Sequence, residues 1–152
     1  MKAESAINFR AYQGGFFKTL ISPTETDGDM ALIEMTLPQG VEPPTHKHTK
    51  EDETFYLLDG EMTFQVGDKV IHAKQGEAIF APRMVPHRFV INTTSARFLT
   101  LITPGDLHNY FLEFSQPQEG EPKVVRPEGP PPADLVARIA EQLTQKYKIF
   151  FA

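Results

Sequence analysis

Short segments in which apolar and polar residues alternate fill the chain from residue 31 to residue 102. In the segment 31–37, alternation places Ile33, Met35 and Leu37 on one face of an extended strand. Similar segments lie at 53–58, 61–66, 69–73, 77–80, 87–91 and 96–102. Short strands with a turn roughly every 8 to 12 residues predict an antiparallel β-sandwich or β-barrel.

Two dipeptides between these segments predict tight turns. Asp59-Gly60 lies between alternating apolar runs, and this is the strongest short-range indication of a β-hairpin, because both turn residues need a positive φ. Gly67-Asp68 predicts a second turn of the same kind. We therefore expect the segments 53–58, 61–66 and 69–73 to follow one another as hairpins.

The last third of the chain has a different composition. Six prolines in residues 116–133 predict a stiff, extended connector. Asp134 is a candidate N-cap for a helix with one apolar stripe, formed by Leu135, Val136, Ile139, Ala140, Leu143 and Tyr147. We thus expect a barrel at 14–115, a connector at 116–133, and a helix and tail at 134–152 that pack on the barrel or on a partner subunit.

Several classes of protein are disfavoured by the composition. The net charge is −5 and no cluster of Lys or Arg occurs, which argues against nucleic-acid binding. Apolar runs reach only about four residues, too few for a membrane span, and residues 1–8 lack the apolar core of a secretory signal. We therefore expect a cytoplasmic protein. Because the chain has no cysteine, disulfides, thiolate metal sites and thiol nucleophiles are excluded.

Three of the five histidines are spaced as metal ligands would be. His46 and His48 are two residues apart in an extended segment, so their imidazoles project from one face, about 7 Å apart. Glu53 begins the next strand and His87 begins a later one, and in an antiparallel barrel these positions can converge. Three imidazoles and a carboxylate suit one divalent Fe, Mn, Co, Ni, Cu or Zn ion, with positions left open for substrate, water or dioxygen.

Other residues could take some of these roles. Glu51 and Asp52 could replace Glu53, but the spacing favours Glu53 and predicts a solvated acidic turn for the other two. His72 is expected on the surface or packed against the sheet. His108 is expected in a loop, with a place in a lid as the alternative.

Glycines frame the histidines in two stretches. The first is Gly40-x5-His46-x-His48-x4-Glu53-x6-Gly60, and the second is Gly76-x5-Pro82-x4-His87. Over residues 30–103 they resemble the two motifs of the cupin superfamily, small jelly-roll barrels that hold a metal between two sheets. The resemblance implies an antiparallel double-stranded β-helix in which His46, His48, Glu53 and His87 bind the metal. The chain departs from the family at Met84, where Gly is usual, and at Asn92, one residue later than the usual Asn.

An apolar pocket should adjoin this site. By alternation, Phe55 shares the face of Glu53, and Phe89 shares the face of His87. Met35, Met62 and Phe80 are expected to extend the same interior. Such a pocket suits a small, apolar or aromatic organic substrate better than a sugar phosphate. Arg83 and Arg88 flank His87 but are expected at the surface.

The residues 43–48 and 51–60 are similar to those of quercetin-dioxygenase-type cupins, which use a divalent metal and dioxygen to open the heterocyclic ring of flavonols. The resemblance implies a dioxygenase acting on an aromatic or flavonol-like molecule, with Glu53 both as a ligand and as the catalytic base that accepts the substrate proton. The alternatives are a non-catalytic cupin that binds or senses a small molecule, and a cupin isomerase or epimerase. Single-barrel cupins commonly pair through a sheet, so a homodimer is expected.

Overall fold

Two antiparallel sheets face each other and enclose an apolar core. The computed structural model describes residues 8–152 and contains, within that range, twelve strands and two helices. In chain order they are β1 (Phe9–Tyr12), β2 (Gly15–Ile21), β3 (Ala31–Pro38), β4 (His46–His48), β5 (Asp52–Asp59), β6 (Met62–Val66), β7 (Lys69–Ala73), β8 (Ala78–Ala81), β9 (His87–Ile91), β10 (Ser95–Thr103), α1 (His108–Glu113), β11 (Gln116–Pro117), α2 (Ala133–Gln145) and β12 (Ile149–Phe151).

The strands divide unequally between the sheets. The larger sheet has the order β11-β1-β2-β3-β10-β5-β8, and the smaller one has the order β12-β4-β9-β6-β7. The prediction of an all-β jelly roll with a C-terminal helix is confirmed. Ile33, Met35 and Leu37 on β3 are buried, as their alternation requires, and they meet the inward residues of the facing sheet. Phenylalanine rings fill the space between the sheets, and Phe55 lies within 5.0 Å of Phe64 by ring centroids.

The hairpin predicted at Asp59-Gly60 is wrong. The strands on either side, β5 and β6, belong to different sheets, so this turn carries the chain from one sheet to the other. Only Gly60 takes a positive φ, of 93°, and a Cβ there would lie 2.8 Å from the carbonyl oxygen of Ser95. Alternation alone does not distinguish the two arrangements, because β5 and β6 bury one face each in both. At Gly67-Asp68 the predicted hairpin is present and joins β6 to β7.

The chain ends contribute strands as well as the helix. β1 pairs with β2 and precedes residue 14, where the barrel was expected to begin. Helix α2 begins at Ala133 after Pro132, so Asp134 lies in the first turn of the helix and is not its N-cap as predicted. An acidic residue in that turn still interacts favourably with the helix dipole. Neither helix in residues 8–152 combines the length and the apolar character that crossing a membrane would require.

Candidate metal centre and cavity

Four side chains from three strands converge between the sheets. His46 and His48 lie on β4, Glu53 on β5 and His87 on β9. One ligating atom from each lies within 4.8 Å of the others, and all except the partly buried His46 are buried. His46 stands directly opposite His87 in the β4–β9 pairing, which explains why residues far apart in sequence meet. The structure thus brings together all four predicted ligands.

Each imidazole has an oxygen partner at Nδ1, on the side away from the cluster. A ring that donates from Nδ1 keeps the lone pair on Nε2, which is the tautomer that a metal ligand needs. His87 Nε2 here donates to Glu53 Oε1 at 3.0 Å, and metal binding would require the loss of that proton. His48 Nε2 is buried and makes no well-aligned hydrogen bond within residues 8–152, although Glu53 Oε1 lies 3.0 Å away. The Nδ1 partners are the carbonyl oxygen of Pro44 for His46 at 2.8 Å, Glu51 Oε1 for His48 at 3.0 Å, and the carbonyl oxygen of Val85 for His87 at 3.4 Å.

Glu53 dominates the electrostatics of the cluster. Its Oε1 atom lies 3.0 Å from Nε2 of both His48 and His87. Burial alone would raise the pKa of Glu53, but His48 and His87 outweigh it and hold that pKa well below the usual value. Burial also opposes a charge on His48, yet Glu53 and Glu51 raise the pKa of His48 to about 10. Burial lowers the pKa of His46 to about 4.

The cluster fits a divalent transition metal. Glu51 and Glu53 are two buried carboxylates, and no Lys or Arg among residues 8–152 forms a salt bridge with either. Buried charge of one sign needs a compensating charge nearby, and the imidazolium of His48, whose pKa is raised to about 10 by the two carboxylates, provides one such charge. A divalent cation at the converging Nε2 and Oε atoms would take the place of that imidazolium proton as the compensating charge and would bind His48 Nε2. The nitrogen and oxygen donors suit the six metals considered from the sequence.

Glu51 is the functional residue that the sequence analysis placed wrongly. It is 2% exposed and bonds His48 Nδ1, whereas a solvated turn was expected. Period-2 alternation explains its position, because Glu51 and Glu53 share the inward face and Asp52 points outward. Asp52 instead pairs with Arg83 on the surface, at 3.1 Å. The same alternation could have identified Glu51 from the sequence.

A backbone hydrogen bond joins the loop before His87 to strand β4, which carries His46 and His48. The backbone N–H of Met84 donates to the carbonyl oxygen of His48 at 2.6 Å. Met84 has a φ of 71°, in the left-handed region that favours glycine. The backbone conformation at this position explains why glycine is usual in the cupin motif. In this chain a methionine adopts the same left-handed φ, and its backbone is strained.

A cavity of about 980 Å³ opens beside the four ligands. Three of the five predicted pocket residues, Met35, Phe55 and Phe89, line it. Among the described residues Met62 is not part of the lining, because it is buried deeper in the core. Phe80 is likewise absent from the lining and is 57% exposed, so its prediction as a pocket residue is wrong. It stands opposite Thr54 on β5, on the outer face of the sheet, and its neighbour Ile79 points inward.

Segments before and after the two histidine motifs complete the cavity wall. Tyr12, Tyr110 and Phe111 line it, and none of them is among the pocket residues predicted from the sequence. The apolar stripe of α2 also faces the cavity through Leu135, Val136, Ile139, Ala140 and Leu143. The sequence predicted that this stripe packs on the barrel or on a partner subunit; in the structure it borders the cavity, and Val136 is 46% exposed.

The other singled-out residues lie outside the cavity lining. Arg83 and Arg88 are exposed, as expected. His72 is also exposed and contacts the hydroxyl of Thr63. His108 is buried at the first position of α1, where Nε2 lies 2.8 Å from the hydroxyl of Thr19, so the expectation of a loop is corrected.

Comparison with known proteins agrees with this geometry. Residues 33–103 match the family model of the cupin domain. Quercetin 2,3-dioxygenase from Bacillus subtilis is 26% identical over 106 residues, which cover 66% of this chain and 32% of that enzyme. This chain therefore spans about a third of the length of the Bacillus enzyme.

Solved structures show the same fold. A predicted oxalate decarboxylase from Thermotoga maritima is similar with a TM-score of 0.57 and 28% identity, over 66% of this chain and 95% of the other. An RmlC-like cupin from Shewanella frigidimarina has a TM-score of 0.56 and 18% identity, over 66% of this chain and 86% of the other. The second similarity concerns the fold alone.

Proposed function

This chain belongs to the cupin superfamily through its domain at residues 33–103, and from that premise we propose that it is a metal-dependent dioxygenase of aromatic, flavonol-like molecules. One observation carries the proposal: the His46, His48, Glu53 and His87 cluster forms part of the wall of a large cavity lined mainly by apolar side chains. The similarity to the Bacillus quercetin dioxygenase supports the same chemistry.

The cavity favours a multi-ring substrate. Its volume of about 980 Å³ is at the upper end of the range for small-molecule sites, roughly 300 to 1,000 Å³. A two-carbon acid such as oxalate, suggested by the Thermotoga protein, would leave most of this space to water. The apolar walls at Phe55, Phe89 and Phe98 instead suit flat aromatic rings.

The residues around the cluster have separable tasks. His46, His48 and His87 would hold the metal through Nε2, and Glu53 would complete the set through a carboxylate oxygen. A divalent transition metal held there supplies Lewis acidity and redox chemistry with dioxygen. Glu53 Oε1 is shared by two imidazoles, so Oε2 would accept the proton from an acidic substrate hydroxyl. A divalent ion held there would lower the pKa of the substrate hydroxyl, so that Glu53 could accept its proton even though the pKa of Glu53 is itself low.

Segments at the cavity mouth would exclude water. The stripe of α2, including Leu135 and Ile139, and the connector residues Pro127 and Pro130 all line the cavity. Exclusion of water strengthens electrostatic interactions at the reacting centre and prevents side reactions. We therefore assign the C-terminal helix to the enclosure of the substrate.

Dioxygen uptake tests the proposal directly. Protein freed of metal is loaded separately with each of the six metals, and oxygen consumption is followed with 3-hydroxyflavone, a catechol and a 1,3-diketone. We expect one molecule of dioxygen to be consumed per molecule of substrate with at least one metal. The His46→Ala/His48→Ala variant should lose both metal and oxygen uptake, whereas His72→Ala, which removes an exposed histidine, should keep both.

The alternative functions give different results. A binding protein would be stabilised against heat by a flavonol, through mass action, without consuming oxygen. An isomerase would convert its substrate under nitrogen. Metal-loaded protein that consumes no oxygen with any of the three substrate classes would refute the dioxygenase proposal, and equal metal content in wild type and the double variant would refute the site.

A further inference from the structure

A pair of tyrosine hydroxyls in the cavity has no role in the proposed chemistry. Tyr12 ends β1 and Tyr110 lies in α1, and their hydroxyl oxygens are 3.1 Å apart. Both residues line the cavity that contains the metal cluster. They come from elements outside the two histidine-bearing motifs, so they provide polar groups at a second place on a mainly apolar wall.

Neighbouring rings hold the two hydroxyls in fixed positions. The Tyr12 ring packs edge-on at 5.5 Å from Phe111 and at 6.0 Å from Phe17, by ring centroids. The Tyr110 ring lies 5.0 Å from Phe111 and 5.1 Å from Phe114. Because rings packed in this way cannot rotate freely, the hydroxyls are placed before a ligand arrives, which lowers the entropic cost of binding.

One of the two hydroxyl protons is not used in the hydrogen bond between the tyrosines. Each tyrosine hydroxyl has one donor and can also accept. When one hydroxyl donates to the other, the second still has an unused O–H. The Gln13 side chain also approaches Tyr12, and donation from its amide to the Tyr12 oxygen leaves this count unchanged. Burial raises the pKa of both Tyr12 and Tyr110, so both hydroxyls keep their protons at neutral pH.

We propose that the Tyr12–Tyr110 pair is a second anchoring point for the substrate and donates a hydrogen bond to one of its oxygens. This inference rests on the proposed function, in which an acidic hydroxyl of the same molecule is held at the metal cluster. The substrate class is thereby narrowed to hydroxylated aromatic molecules with a second oxygen, placed away from the metal-binding group. A ligand without that oxygen leaves the donor unpaired, and burying an unpaired donor is costly.

Binding to zinc-loaded protein tests the inference without turnover, because zinc has no redox chemistry. Dissociation constants are measured by calorimetry under nitrogen for 3-hydroxyflavone and for a series carrying one further hydroxyl on either ring system. We expect at least one member of the series to bind wild type about three- to tenfold more tightly than 3-hydroxyflavone, as one net hydrogen bond allows.

Substitutions then assign the gain to the pair. In Tyr12→Phe/Tyr110→Phe, both hydroxyls are removed with little change of shape, and the preference for the extra oxygen should disappear while 3-hydroxyflavone still binds. Tyr147→Phe is the matched control. Its hydroxyl is also buried and has no partner within residues 8–152, but the residue does not line the cavity, so the preference should persist. Thermal unfolding checks that each variant is folded.

The outcomes separate the inference from the proposed function. If 3-hydroxyflavone binds wild type but no further hydroxyl improves its affinity, or if the preference survives in the double variant, the inference is wrong and the proposed function stands. If no flavonol binds wild-type protein, the inference is wrong and a flavonol is not the substrate, and oxygen uptake with the catechol and the 1,3-diketone then decides whether the proposed dioxygenase activity is also wrong. A preference that is lost in the double variant and kept in Tyr147→Phe supports the inference.

Discussion

Removal of the Glu51 carboxylate should weaken metal binding, although Glu51 is not one of the four ligands. Glu51 is buried and accepts the Nδ1–H of His48 at 3.0 Å. This bond fixes the orientation of the His48 ring and keeps the lone pair of Nε2 directed at the cluster. In Glu51→Ala, the ring loses its partner and its Nδ1–H is left buried without an acceptor.

The orientation of the His48 ring and the lost hydrogen bond lead to similar magnitudes for this loss. Groups that orient metal ligands typically contribute about 10- to 100-fold in affinity, which is about 1.4 to 2.7 kcal/mol. A hydrogen bond to a charged group contributes about 1.5 to 3 kcal/mol. We therefore expect the dissociation constant of the metal to rise about 10- to 100-fold in Glu51→Ala. Glu51→Gln keeps an acceptor oxygen but removes the charge, so its loss should be smaller.

Competition with a chromophoric chelator at pH 7.5 measures these constants, and elemental analysis gives the metal content. Asp52→Asn is the matched control, because it removes a carboxylate one residue away that lies on the outer face and pairs with Arg83. An exposed pair of this kind contributes about 0 to 1 kcal/mol, and metal affinity should not change. If Glu51→Ala binds metal as tightly as wild type, the assigned role of Glu51 is refuted.

Three further substitutions test the architecture around the site by chemical denaturation and metal titration. Ile149→Ala creates a cavity at a buried position opposite His48, so it should lower the free energy of unfolding by about 2 to 5 kcal/mol and weaken metal binding. Phe150→Ala, on the exposed face of the same strand, should change neither quantity. Gly60→Ala should destabilise more than Gly28→Ala: both glycines have a positive φ, but only at Gly60 does the new Cβ meet neighbouring atoms. Met84→Gly should stabilise by about 0.5 to 1 kcal/mol, because it relieves a left-handed φ at an exposed side chain; no gain in stability would show that the φ is not strained.

Period-2 alternation predicted the strands well where one face is buried and the other is exposed. β3, β6, β7 and β9 lie where the sequence placed them, because a slip of one residue would turn the apolar side chains to solvent. The same rule fails at short edge strands that carry apolar residues on both faces. On β8, Phe80 is exposed and Ile79 is buried, and nothing in the sequence of so short a segment distinguishes them.

The convergence of His46, His48, Glu53 and His87 was predictable because the four candidate ligands are side chains at fixed spacings. The atoms that orient those side chains were harder to predict from the sequence. Two of the three Nδ1 partners are backbone oxygens, of Pro44 and Val85, and any residue type can supply a backbone oxygen. The third, Glu51, is a side chain, and it could have been found by carrying the alternation of β5 two residues back from Glu53.

The C-terminal strand supports the candidate metal site directly, which the composition of this segment did not indicate. The strand β4 carries two of the four ligands but has only three residues, and in the smaller sheet it pairs with β9 at a single position, His46 with His87. On its other edge, β12 pairs with all three residues of β4, with Phe151 opposite His46 and Ile149 opposite His48. Most of the backbone support for His46 and His48 therefore comes from Ile149–Phe151. Because α2 precedes β12 by only a few residues and faces the same cavity, the segment proposed to enclose the substrate is continuous with the strand that supports His46 and His48. A substitution in α2 or in β12 should therefore change both metal affinity and ligand binding.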